Sequence, residues 1–284
     1  MLLYLQSFNF VDYDREYGFR LDEKRTCFDS MYPFFVLSRH GLVRLDFEQV
    51  TILYGGNGSG KTTALNVIAE ALSLKRDALY NRSAFFGDYV NMCSFNAINI
   101  PQNSRMIASD DIFDFMLNLR NVNEGVDLKR ELLFEEYLEN KHTHFQMNSL
   151  EDFEQLKKSA AAKSKTQSKY VRKYLPKNLR ERSNGESAYL YFTEKITDNG
   201  LYLLDEPENS LSPKKQLELL RFLEDSARFY GCQFVIATHS PFLLSMRGAK
   251  IYDFDSEEVD VKRWTDLESV RVFYEFFKKH KGEF

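Results

Sequence analysis

Three short apolar runs punctuate the chain, each ending in polar or charged residues: Val50-Thr51-Ile52-Leu53-Tyr54, Leu201-Tyr202-Leu203-Leu204 and Phe234-Val235-Ile236-Ala237-Thr238. Near-continuous hydrophobicity over about five residues is the pattern of strands covered on both faces of a parallel sheet. The N-terminal part to Leu53 reads instead as short β segments, among them Leu42-Val43-Arg44-Leu45-Asp46-Phe47, where apolar and polar residues alternate. Behind Ser109-Asp110-Asp111, the residues Ile112, Phe115, Met116 and Leu119 fall at helical spacing and predict an amphipathic helix with an N-cap and two acids in its first turn. Leu220, Leu223 and Ala227 predict the buried face of a second helix from Pro213 to Tyr230, and Gly231 then leads into the strand ending at His239. Ile251-Tyr252-Asp253-Phe254 reads as a late strand, and the tail from Lys278 to Phe284 as exposed. Strand, helix, strand in this order is the α/β crossover arrangement.

At 284 residues, with 43% hydrophobic and 15% aromatic composition, the chain can bury a large core as one globular domain. No apolar stretch approaches a membrane span, and Met1 to Phe8 lacks the basic flank and cleavage site of a leader, so the expected location is cytoplasmic. Cys27, Cys93 and Cys232 are isolated, fit neither a metal site nor a disulfide framework, and are expected as reduced thiols. A formal charge of −4 gives no global attraction to nucleic acid. The local anomaly is Lys157 to Arg182, with ten Lys or Arg against one acid, Glu181. That segment is either a solvated Lys-rich helical lobe or a track for a nucleic-acid backbone.

Three motifs carry chemistry. Gly55-Gly56-Asn57-Gly58-Ser59-Gly60-Lys61-Thr62 fits the P-loop pattern G-x-x-x-x-G-K-[ST], lying between an apolar run and the helix-forming residues that start at Ala64. Its glycines let backbone N–H groups converge on a triphosphate at a helix N-terminus, with Lys61 reaching the β/γ-phosphates and Thr62 holding Mg²⁺. The run Leu201 to Leu204 delivers two adjacent carboxylates, Asp205 and Glu206, to a strand end, an expensive place for charge unless a metal or a reaction uses it. Asp205 fits the Mg²⁺-organising group and Glu206 the group that polarises attacking water. The strand from Phe234 delivers His239 to its end in the same way.

P-loop, then Asp-Glu, then strand-borne His is the order found in ABC-type ATPases, and the chain resembles that superfamily. The likeness is to its stand-alone soluble members akin to the SMC and recombination-repair ATPases. Further support comes from Ser183-Asn184-Gly185-Glu186-Ser187 as a signature motif and Asn209-Ser210-Leu211-Ser212 as a D-loop. The runs Tyr32-Pro33-Phe34, Leu203 to Glu208 and Ala237 to Leu244 are similar to a family of small bacterial predicted ATPases. The resemblance implies an α/β P-loop NTPase with an ABC-ATPase-like core, an N-terminal antiparallel β layer and an inserted helical lobe. It spans one domain over 1–284, with the lobe at 110–185. It also implies ATP with Mg²⁺, contacts to the nucleotide from Gly55 through Thr63, and a γ-phosphate sensor at His239. Ser183 and Gly185 would close the site of a neighbouring subunit in a head-to-tail homodimer.

The signature departs from the transporter form Leu-Ser-Gly-Gly-Gln, since Ser183 and one glycine remain but the motif ends in Glu186. Ser183 with Glu186 also makes a capping box, and both roles can coexist. For the Q-loop, Gln102 has the expected side chain while Ser109 and the two acids after it are rivals by position. Tyr32 or Phe34 are candidates to stack on adenine. Sustained heptads are absent between Asn66 and Arg182, so long coiled-coil arms are excluded. The process served stays open among DNA repair or defence, an ATP-gated switch that recruits an effector protein, and a transporter subunit.

Overall fold

The computed structural model of the chain describes residues 3–142 and 184–284, and its backbone hydrogen bonds sort the strands into two sheets. The N-terminal elements are β1 (Leu5–Asn9), α1 (Tyr13–Asp22), β2 (Arg44–Asp46), β3 (Val50–Tyr54), α2 (Lys61–Ala71), α3 (Phe86–Met92), β4 (Ser94–Ala97) and β5 (Arg105–Ala108). The helix α4 (Ser109–His142) follows, then α5 (Asn184–Lys195), β6 (Leu201–Asp205), α6 (Pro213–Phe229) and β7 (Gln233–Thr238). A short α7 (Pro241–Leu244), the pair β8 (Lys250–Asp253) and β9 (Asp260–Val261), and α8 (Glu268–Lys279) complete the described elements.

The chain divides into two units, Met1–Asp114 with Asn184–Phe284, and Phe115–Ser183. In the second, residues 115–142 continue α4 and bury Leu133 and Tyr137. Residues 143–183 of the expected lobe lie outside the described residues, as do Lys157 to Arg182 and Ser183.

In the first unit the larger sheet has the order β5-β6-β7-β3-β8-β9. It is parallel from β5 to β8, and only β9 runs against its neighbour. Every residue of β3, β6 and β7 is buried, as their apolar runs require. Register aligns their carboxyl ends: Tyr54 lies opposite Thr238, Ala237 opposite Asp205, and Asp205 opposite Ala108. Residues that follow these strands therefore gather at one edge.

The smaller sheet, β2-β1-β4, is antiparallel and supplies the N-terminal layer. Between the layer and the large sheet, α2 buries Thr63 through Ala69 on all sides, as a helix covered on both faces must. One buried amide joins the sheets: Gln233 on β7 accepts from the N–H groups of Tyr4 and Leu5 and donates to the Leu5 and Glu48 carbonyls. Along α6 Leu223 and Ala227 are buried as expected, while Leu220 is only half-buried and Leu219 takes its place in the row.

Candidate active site

In the turn between β3 and α2 two glycines stand where a side chain would be crowded. A Cβ on Gly55 would meet the Ser59 Oγ at 2.6 Å, and Gly60 sits at φ 96° with Leu37 only 3.1 Å from where its Cβ would stand. The loop carrying Tyr32 and Leu37 presses on the turn, and the buried Glu16 carboxylate ties that loop down by accepting from the Phe35 N–H and the Ser38 hydroxyl. Gly60 caps α2 without a side chain, so the N–H groups of Lys61, Thr62 and Thr63 lie outside the helical ladder at its positive end.

Lys61 is buried and donates from Nζ to the carbonyls of Gly55 (2.7 Å) and Gly56 (2.8 Å). Ser59 is buried beside it, while Asn57 and Gly58 are exposed. The Thr63 hydroxyl accepts from Tyr32 Oη at 3.2 Å. Phe34 is core, stacked on Phe19 at 4.6 Å, so of the two aromatics only Tyr32 reaches the P-loop.

Across the sheet edge, the Thr62 hydroxyl donates to Asp205 Oδ1 at 3.1 Å. Burial pushes the Asp205 carboxyl up to about 6, the Glu206 charge adds to this, and the Thr62 hydrogen bond and Lys61 oppose it. A hydroxyl and a buried carboxylate side by side are the hard oxygen donors Mg²⁺ selects when it takes its other ligands from phosphate and water. Among the described residues no group of three or more His, Cys, Asp or Glu could hold a metal alone, and such a Mg²⁺ site needs none.

Glu206 follows Asp205 in the left-handed region, φ 47°, and its N–H still pairs with the Ala237 carbonyl at 2.9 Å. Its Oε2 accepts from Asn209 Nδ2 at 2.9 Å, and its Oε1 lies 3.9 Å from His239 Nδ1. The structure thus brings Lys61, Thr62, Asp205, Glu206 and His239 to one edge. Gly185, in the first turn of α5, has Ser210 and Lys215 of its own chain as near neighbours.

Two acids here escaped the sequence reading. Glu208 is buried, and its Oε1 accepts from the Thr238 hydroxyl and the N–H groups of His239 and Ser240 at 2.5, 2.9 and 3.1 Å. It shapes the turn that presents His239, and the one local sign was a third acid so close to a buried strand. Asp255 accepts the Gly56 N–H with both carboxylate oxygens, at 2.8 and 2.9 Å, a contact with no signal in the sequence. The two Q-loop candidates fall at different edges of the sheet. Ser109 follows Ala108, the register partner of Asp205, whereas Gln102 precedes β5 at the opposite edge.

The Asp205 environment makes a stability prediction. Because the folded value is raised above the ordinary aspartate value of about 3.9, the stabilising contribution is complete below about pH 4 and is lost as pH rises through about 6. At pH 8 the ionised, buried carboxylate opposes folding by up to about 3 kcal/mol. Asp205→Asn is therefore expected to raise the melting temperature of the nucleotide-free protein at pH 8, with the gain shrinking toward pH 4. An unchanged or lower melting temperature at pH 8 would show that burial imposes no such penalty.

Residues 176–245 match the family model described as "AAA domain, putative AbiEii toxin, Type IV TA system". That span contains Asp205, Glu206, Glu208 and His239, so an independent comparison falls on the same motifs. No curated protein matches the chain. Among solved structures it is similar to a dimeric ATP-binding cassette in a post-hydrolysis state bound to ADP and Pi, at 16% identity over 80% of this chain and 90% of that one, TM-score 0.39. It is also similar to the SMC head domain from Thermotoga maritima, at 12% identity over 92% of this chain and 99% of that one, TM-score 0.40. Both scores are low, and the fold assignment rests on the strand order and the P-loop described above.

Proposed function

We propose that this chain, whose fold is that of an ABC/AAA-like P-loop NTPase, binds ATP with Mg²⁺ and hydrolyses it while closing as a head-to-tail homodimer. The observation that carries the reading is the 3.1 Å hydrogen bond joining the P-loop Thr62 to Asp205, with Glu206 the next residue along. Mg²⁺ supplies charge to the transferred phosphoryl group when bound. Thr62 and Asp205 offer its oxygen ligands. Lys61 exchanges its two carbonyl partners for phosphate oxygens, and the α2 amides add positive potential. Glu206 takes up a proton from the attacking water, oriented by Asn209, and His239 stands on the same side to contact the γ-phosphate. Ser183 and Gly185 act on the partner's nucleotide. ATP rather than GTP, and the homodimer, rest on the motif resemblance alone.

The process we favour is repair or defence, and the toxin–antitoxin wording of the matching family supports defence. Among the described residues no helix is long and apolar enough to cross a membrane. The test is phosphate release by the purified protein with ATP in Mg²⁺ and in EDTA. Release that depends on Mg²⁺ is expected. A protein that binds ATP yet releases no phosphate with Mg²⁺, alone or with added DNA, would leave nucleotide-gated switching as the function.

A further inference from the structure

At the amino edge of the large sheet, opposite the P-loop, lies a groove of about 680 Å³. Its place is fixed by β8, whose first residue, Lys250, pairs with Thr51, whereas Asp253 pairs with Tyr54 beside the P-loop turn. Arg247, Lys250, Lys262 and Arg263 line it, with no carboxylate among its lining residues, and Trp264 and Thr265 form one end. A second depression of about 380 Å³ shares Trp264 and Thr265 and adds Arg271 and Tyr274.

The charges are unequally neutralised. Lys262 is paired with Asp253 at 2.7 Å. Arg263 and Arg271 share a single carboxylate, Asp266, at 3.1 and 3.9 Å, and their side chains are 84% and 69% exposed, so each guanidinium keeps donors directed to solvent. Lys250 donates from Nζ to a backbone carbonyl, that of Asp46. Glu224 is the acid nearest Arg247 in hydrogen bonding, but it takes the main-chain N–H rather than the guanidinium. In the second depression Glu275 faces Lys278 at 3.7 Å. Cations therefore stand along the groove, flat aromatic surface from Trp264 lies where the two depressions meet, and the exposed Tyr274 belongs to the second depression.

Cations spaced along a groove that ends in an exposed aromatic ring match a strand whose phosphates follow one another and whose unpaired bases can stack. An acidic peptide would answer the cations but leave the rings without stacking partners, and a duplex presents its bases already stacked. We propose that this groove binds single-stranded nucleic acid, its phosphates on Arg247, Lys250 and Arg263 and a base on Trp264. The attraction is local, since the whole chain carries a formal charge of −4. The proposal is independent of ATP hydrolysis and of the segment Lys157 to Arg182.

Trp264 is the chain's single tryptophan, so its fluorescence reports on this groove alone. The full chain is titrated with oligo(dT) of about 12 nucleotides across a salt series, following Trp264 emission and the anisotropy of a labelled strand. Quenching is expected, with affinity falling as salt rises. Arg247→Ala with Arg263→Ala should weaken binding and flatten the slope of log K against log salt by about 1.4, two phosphate contacts being lost. Trp264→Ala should weaken it roughly tenfold while Trp264→Phe retains it in anisotropy. Both arginines are exposed, and an unchanged melting temperature confirms that the double variant folds. The proposal is overturned if no binding appears at low salt, if binding leaves Trp264 emission and the arginine double variant unaffected, or if polyglutamate binds as tightly and identifies an acidic protein partner.

Discussion

Replacing Glu206 with Gln is expected to leave ATP binding intact and to slow phosphate release at least about a hundredfold, the contribution of a positioned general base. Glutamine keeps the length of the side chain and can still accept from Asn209, which holds Oε2 at 2.9 Å in the native protein. It cannot take up the proton of the attacking water. Nothing else at the sheet edge needs to move, since the N–H bond to Ala237 belongs to the backbone. Filter binding with labelled ATP, phosphate release and size exclusion together test this. The variant should bind, fail to release phosphate, and accumulate an ATP-dependent dimer. Turnover at the wild-type rate would remove Glu206 from the chemistry.

Lys61→Ala and Ser183→Arg should each reduce ATPase activity to background as homodimers, for different reasons. The first removes the buried cation whose Nζ now sits on the Gly55 and Gly56 carbonyls, and the second puts bulk and positive charge where the resemblance calls for a small hydroxyl. Mixed, they should recover about a quarter of wild-type activity, because in the heterodimer one interface unites the intact P-loop of one chain with the intact Ser183 of the other. Native mass spectrometry establishes that the heterodimer forms. Near-normal activity of Ser183→Arg by itself would reduce that serine to a helix cap.

The strands of the large sheet were legible because burial on both faces leaves them little but apolar residues, and the P-loop because its glycine spacing has few other uses. Less was visible where a role depends on distant contacts. Gln233 joins two sheets through bonds to Tyr4 and Leu5, and Asp255, two residues past the end of β8, reaches Gly56 across 199 residues of sequence. Neither leaves a local pattern. The four-residue β4 and β5 are too short to show a period, and Phe95 on β4 is exposed. On α6 the choice between Leu219 and Leu220 was a matter of rotation that a wide apolar stripe does not fix. That Ser109 and Gln102 lie at opposite edges of the sheet could not be told without knowing which way β5 runs. Among so many aromatics, Phe34 gave no sign that Phe19 would cover it.

The left-handed backbone at Glu206, φ 47°, disfavours most residues with a Cβ by about 1–2 kcal/mol. Glycine or asparagine would occupy the position with less strain. The side chain proposed for turnover thus stands where the fold alone prefers another. Libraries sorted only for heat resistance or expression will be drawn toward replacements at position 206, and the sturdiest isolates will be the idle ones, unless each round also demands phosphate release.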